Sequence, residues 1–421
     1  MIKTQEIDIF NVLLLIAFAL VFARFFGYIF YRFKQPAVLG EIIAGIILGG
    51  IGLFLIHGQE ILILDHAITL PNFNFQSLQP DYFAFVAEIG ILFLLFISGL
   101  EISVSKLKKM GKASSIVAVG GVFVPFVMGV LCCLLLDSFT NFSFTLQESI
   151  IVGLILTATS VGVTARVLMD IDALDSDVGA TILGSAVVDD VLAILLLAFV
   201  MSVGSIFDTL WLGVKIAIFF LIFLYLGLKV IDKILDLGEK INLPKAFLSI
   251  ALAILLIYAF FADRAGISGI IGAFVAGILI GQNVRSFKIE KDVKAIAYGF
   301  FIPLFFVWVG SSIWNDVDNL SSYLVSIIVL AVIISSIAII GKILGCGMGA
   351  KIAGMSNRES LQVGVGMIPR MELALIIVTT AFSKKIIEGF IANQILIATV
   401  LLIIITTLVT PILIKATFKN D

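Results

Sequence analysis

The chain has 421 residues, 61% of them hydrophobic and 13% charged, with a formal net charge of −2. Soluble domains carry about a quarter charged residues, so this composition excludes a soluble globular protein and indicates an integral membrane protein. The near-neutral charge argues against a nucleic-acid partner, and many separate apolar runs predict an all-α, polytopic membrane protein rather than a β-barrel, whose strands alternate in short segments.

Hydropathy predicts about 13 transmembrane helices: 8–30, 37–56, 83–101, 113–136, 148–169, 178–203, 208–231, 245–262, 266–282, 295–314, 322–349, 359–382 and 390–414. The first run lacks the basic start and small-residue cleavage site of a signal peptide and reads as a retained helix. Loops following odd-numbered spans, with the span ends that adjoin them, hold twenty Lys and Arg, against four (Lys3, Arg264, Lys384, Lys385) on the other side. Positive loops stay cytoplasmic, which puts the N-terminus outside and the C-terminus in the cytoplasm of a cell (inner/plasma) membrane. His57 and His66 flank a polar loop and read as solvated. Cys132, Cys133 and Cys346 lack metal-ligand spacing and read as small hydrophobes. Glu41, Glu88 and Lys215 lie near span ends, where capping or snorkelling suffices.

Span 2 contains Gly40-Glu41-Ile42-Ile43-Ala44-Gly45-Ile46-Ile47-Leu48-Gly49, and span 9 contains the similar Gly272-Ala273-Phe274-Val275-Ala276-Gly277-Ile278-Leu279-Ile280-Gly281. Phe93–Gly99 in span 3 resembles Leu304–Gly310 in span 10. Spans 2–6 then repeat as 9–13. Units that start an odd number of spans apart have opposite orientation, so this is an inverted repeat of the kind many secondary transporters use.

Sites in such folds lie where discontinuous helices of the two repeats cross. Span 5 holds the hydroxyl-rich stretch Thr157-Ala158-Thr159-Ser160-Val161-Gly162. Its counterpart, span 12, holds Gly364-Val365-Gly366-Met367-Ile368-Pro369-Arg370-Met371-Glu372. Proline removes a helix hydrogen bond and clashes with the preceding turn. Both stretches therefore read as mid-membrane breaks, whose exposed dipole ends need charged or polar partners. Arg370 and Glu372 supply some of these.

Span 6 carries two adjacent acids, Asp189 and Asp190, in an otherwise apolar run. Intramembrane carboxylates are costly and mark functional sites. Neighbours on a helix point about 100° apart, so one acid can meet a packed partner while the other meets a cavity. Lys342, deep in span 11 between glycines, needs a carboxylate, and Asp189 is the natural candidate. A small cation stripped of water needs hard oxygen ligands. The Asp190 carboxylate with the hydroxyls and carbonyls of Thr157, Thr159 and Ser160 can supply them. A carboxylate that holds either a proton or a cation, but not both, gives exchange by competition. If the cation draws Asp189 away, the orphaned buried ammonium of Lys342 sheds its proton as well, so two protons would move against one cation. No cofactor is called for.

The chain resembles the second branch of the cation/proton antiporter superfamily, which holds NapA-type Na+/H+ antiporters and Kef-type K+ systems. The resemblance covers nearly the whole chain. Its marks are Gln35–Glu41, Phe96–Glu101, Thr157–Ser160, Val188-Asp189-Asp190, Gly269–Gly277, Pro303–Phe306 with Gly310, Gly341-Lys342 and Pro369-Arg370-Met371-Glu372. NapA-like members usually have glycine where this chain has Met371. The resemblance implies a homodimer and an elevator-like alternating access, in which a core domain (113–203 plus 322–414) moves against dimerisation helices (8–101 plus 208–314). It also implies that Asp190 binds cation and proton while Asp189 pairs with Lys342. Kef-type members usually have Gln-Asp and a cytoplasmic nucleotide-binding domain. Asp-Asp and a short tail favour Na+ or Li+ over K+, and a K+/H+ antiporter is the alternative. A channel would favour a symmetric filter or charge rings, and organic-anion symport would not need Asp-Asp plus Lys. An intramembrane aspartyl protease needs two acids on facing helices, so the chain does not read as an enzyme.

Overall fold

The computed structural model describes residues 9–418 apart from 34, 55–59, 64–65, 70–79, 102–110, 140–143, 175, 201–217, 219–221, 224, 226, 232, 236–242, 266–268 and 284–285. His57 and Lys215 lie outside the described residues, as does most of expected span 7. Eight helices among the described residues are long and apolar enough to cross a membrane, and four more apolar helices are shorter. The described residues are almost wholly helical. The departure from an all-α reading is a two-stranded antiparallel hairpin, β1 (Glu60–Ile63) and β2 (His66–Thr69), with Glu60 opposite Thr69.

The chain divides into two compact units. The first comprises residues 1–97 and 287–317. It contains α1 (Ile9–Arg32), α2 (Ala37–Phe54) and most of α3 (Pro80–Glu101). Pro36 and Pro80 stand where α2 and α3 begin, positions where a missing N–H costs nothing. Leu14, Phe18, Val21, Phe25 and Tyr28 form an exposed stripe along α1 at helical spacing, a surface suited to lipid rather than water.

The second half of this unit corrects the sequence expectation. Residues between spans 9 and 10 read as a basic loop, yet Ser286–Ile296 is a helix, α10. Its periodicity explains why: Ile289 and Val293 are buried one turn apart, and Lys294 Nζ lies 2.6 Å from Glu290 Oε1 across one turn. A wide π-type turn at Ala297–Phe301 then leads into α11 (Ile302–Ser311). Pro303 accounts for the turn, because its ring displaces the carbonyl four residues back.

Glycines set the closest contacts here. A Cβ on Gly45 would strike the Val307 carbonyl, and one on Gly310 would strike the Ile42 carbonyl. The α2–α11 contact is therefore reciprocal, small residue against backbone. Trp314 Nε1 donates to Ile46 O at 2.7 Å beside it. Glu41, expected to cap or snorkel near a span end, is instead 4% exposed. Its Oε1 lies 3.5 Å from Arg24 Nη1, and that charge offsets part of its burial.

The second unit comprises residues 98–286 and 318–421. Its helices are α4 (Lys112–Phe139), α5 (Leu146–Ile155), α6 (Val161–Asp170), α7 (Asp177–Val200), α8 (Ala246–Arg264) and α9 (Gly269–Gly281). They are followed by α12 (Val317–Ile352), α13 (Asn357–Gly366), α14 (Glu372–Ser383) and α15 (Gly389–Phe418). Its core draws Val117, Leu168, Ile182, Cys346, Val363 and Ile414 from six of these helices. Spans 5 and 12 are each split, into α5 and α6 and into α13 and α14. The helices α5, α6 and α13 have 10 residues each and α14 has 12. At 1.5 Å per residue each covers about half a hydrocarbon layer. Both pairs open on a capping box, Thr145 with Glu148 and Ser356 with Glu359. That T/S-x-x-E spacing is visible in the sequence and went unread there.

Valine at Gly45 or Gly310 is expected to overpack the α2–α11 contact by about 1–3 kcal/mol and lower the melting temperature in detergent. Gly299→Ala, where an added Cβ meets nothing within 4 Å, is expected to leave it unchanged.

Candidate ion-binding site

The two helix breaks meet. Ser160 N, at the start of α6, donates to Pro369 O between α13 and α14 at 2.8 Å. Thr164 Oγ1 reinforces the contact by donating to Gly366 O at 2.6 Å. The interruption of α5 at Leu156 and of α13 at Met367 leaves carbonyls without intrahelical donors, in a region where water cannot serve them.

Arg370 meets that need. It is fully buried. Its Nη2 donates to Leu156 O at 2.7 Å and to Ala338 O at 3.2 Å. Its Nη1 donates to Met367 O at 3.3 Å and to Ile368 O. One guanidinium therefore covers the negative ends of two half-helices, where a cation is favoured. Thr406 Oγ1 accepts from Arg370 N at 3.3 Å and holds the residue from α15. Glu372 sits in the first turn of α14, where the positive helix end favours an anion, and its carboxylate hydrogen-bonds the Ser160 side chain.

The acids of α7 diverge as helical geometry requires. Asp189 is 0% exposed and Lys342 likewise. Lys342 Nζ lies 2.8 Å from Asp189 Oδ1 and 3.0 Å from Oδ2. Glycines let α12 come close enough for this: a Cβ on Gly120 would strike Gly345 O, and one on Gly345 would strike Gly120 O. A Cβ on Gly121 would stand 3.3 Å from both Asp189 Oδ1 and Lys342 Nζ and closer still to Cys346 Sγ, so bare backbone at Gly121 and the Cys346 side chain both border the pair.

Asp190 is only half-buried. It lies within electrostatic reach of Asp189, Glu372, Lys342 and Glu101. Glu101, at the end of α3, also acts on Glu372. Sequence reasoning missed it as a site residue, although it closes the Phe96–Glu101 stretch and is the only acid there. Of the hydroxyls, Thr157 donates to Leu154 O at 2.7 Å in its own helix. Thr159 Oγ1 is buried without a hydrogen-bond partner, which leaves an oxygen in the broken segment for a ligand to meet. Met371 is buried between Arg370 and α14.

Replacing Lys342 with Met strands the Asp189 charge. A loss of about 3–5 kcal/mol is expected, measured by chemical unfolding in detergent. Adding Asp189→Leu should recover most of it, because a well-packed apolar pair avoids the desolvation of both ions.

A family model described as "Sodium/hydrogen exchanger, transmembrane" matches residues 11–420. The chain is 33% identical over 405 residues to the Na(+)/H(+)-K(+) antiporter GerN of Bacillus cereus, covering 96% of this chain and 95% of that protein. It is 34% identical to a Na(+)/H(+) antiporter of Enterococcus hirae, over 91% of this chain and 92% of that one. The solved structure of the sodium proton antiporter MjNhaP1 from Methanocaldococcus jannaschii at pH 8 superposes with a TM-score of 0.70 at 18% identity. That match covers 96% of this chain and 99% of the other, and it shows a shared fold. The chain belongs to the transmembrane sodium/hydrogen exchanger family, whose members are membrane-embedded monovalent cation:proton antiporters and not enzymes.

Proposed function

We propose that the chain exchanges Na+ or Li+ for protons across the cell membrane, as a NapA-type member of the second antiporter branch. The observation that carries the reading is the half-buried Asp190, within electrostatic reach of Glu372 at the second helix break and one residue from the fully buried Asp189–Lys342 pair. Asp190 holds either a proton or the cation. Thr157, Thr159 and Ser160 supply further oxygens, and the unpartnered Thr159 hydroxyl supports their role. Cation binding draws Asp189 from Lys342, and the lysine releases its proton. Arg370 and Glu372 hold the half-helices through the cycle by balancing their dipole ends.

The wider architecture belongs to the same proposal. The chain has 13 spans in an inverted repeat, with the N-terminus outside and the C-terminus cytoplasmic, and it works as a homodimer. The matched capping boxes and half-helix lengths of the two broken pairs support the repeat. Residues 113–203 and 322–414 form the moving core of an elevator, and 8–101 with 208–314 form the dimerisation scaffold. That core lies wholly inside the second compact unit, which supports its moving as one body. Residues 208–286 of the scaffold cluster with that unit as well.

Proteoliposomes with an imposed pH gradient test the exchange, with Na+, Li+ and K+ added separately. Na+- or Li+-driven dequenching is expected for the wild type and its loss to background for Asp190→Asn. A response to K+ alone would keep the carboxylate mechanism and change the substrate, as the name of the GerN relative allows. Unchanged transport in the variant would sink the assignment of Asp190. Reversal potentials should fit two protons per cation, and an electroneutral result would remove Lys342 from the proton path.

A further inference from the structure

Helix α10 carries a feature that the exchange mechanism does not use. The helical run Ser286–Trp314 has 29 residues, about 43 Å at 1.5 Å per residue. Residues 295–314 are free of charged side chains, and those twenty residues span about 30 Å, the thickness of the hydrocarbon layer. The nine residues before them, with Lys288, Lys291 and Lys294, therefore reach beyond the hydrocarbon into the headgroup layer.

The two faces of this segment differ in chemistry. Ile289, Val293 and Ala297 are buried on one side. On the other, Phe287 is 73% exposed and Tyr298 45% exposed. Lys288 and Lys291 are exposed between them. At 100° per residue, Phe287, Lys288, Lys291 and Tyr298 fall within about one third of the helix circumference. Lys294 lies at the edge of the same face, about 20° from Phe287, and its charge is balanced by Glu290 at 2.6 Å. An aromatic residue at each end with two ammonium groups between them matches an anionic interface: aromatic rings favour the headgroup level, and lysines attract anionic lipid.

We propose that this face of α10 docks an anionic phospholipid, with Lys288 and Lys291 on the headgroup phosphate, Tyr298 against the glycerol and upper acyl region on their hydrocarbon side, and Phe287 at the outer headgroup level. The proposal rests on the membrane-spanning character of the chain and not on which ion it exchanges.

The full chain in detergent, titrated with phosphatidylglycerol and followed by thermal shift, tests this without a transport assay. A saturable stabilisation is expected for the wild type, with apparent affinity falling roughly fivefold per lysine removed in a Lys288→Gln, Lys291→Gln variant. Charge-retaining Lys288→Arg, Lys291→Arg should keep wild-type affinity. Phosphatidylcholine and free glycerol phosphate should give no comparable shift. Superimposable titrations of the wild type and the Gln variant would overturn the site. A free-phosphate response equal to that of the lipid would show a simple anion site instead and would also overturn it.

Discussion

A helix broken inside a bilayer exposes backbone carbonyls that no water can reach, and this protein breaks two. Arg370 answers both interruptions from one buried position, with donors aimed at Leu156, Met367, Ile368 and Ala338. Each bond to a charged donor is worth about 1.5–3 kcal/mol, and together they offset the burial of a full positive charge. Without that cation the crossing would present two negative helix ends to each other. Both breaks depend on this one side chain.

The neighbouring acids of α7 use helical geometry to separate two environments. Asp189 is locked in a dry ion pair with Lys342, and the bare backbone of Gly120, Gly121 and Gly345 admits the lysine helix at close range. Asp190 points elsewhere, partly buried and within electrostatic reach of Glu372 and Glu101. A buried pair contributes little net stability, since desolvation offsets attraction. Removing one partner is costly, and that asymmetry makes such a pair responsive to any competing charge nearby.

Much of this was legible in the sequence because bilayer physics punishes exceptions. Asp189, Asp190, Lys342 and Arg370 stand out as charges in apolar runs, and Pro369 with its glycines marks a break. Periodicity alone could not say that Ser160 and Pro369 would meet, because their bond is between main chains 209 positions apart. Glu41 read as a span-end residue, since nothing local shows that Arg24 comes within 3.5 Å of it. Helix α10 was lost for a different reason: its charges pull average hydropathy down, and the buried Ile289 and Val293 register only when spacing is read in place of sum. Glu101 was passed over because its partners come from α7 and α14, far away in the chain.

The bond between the two breaks has a consequence for how such a protein diversifies. It joins an amide to a carbonyl and asks nothing of the side chains at Ser160 or Pro369 beyond the backbone path they allow. The side chains at Thr157, Thr159 and Ser160 can therefore vary while this main-chain bond stays in place. The crossing and the hydroxyls it carries are thus separable: side chains in the broken segment can change without loss of the main-chain bond that joins the two breaks.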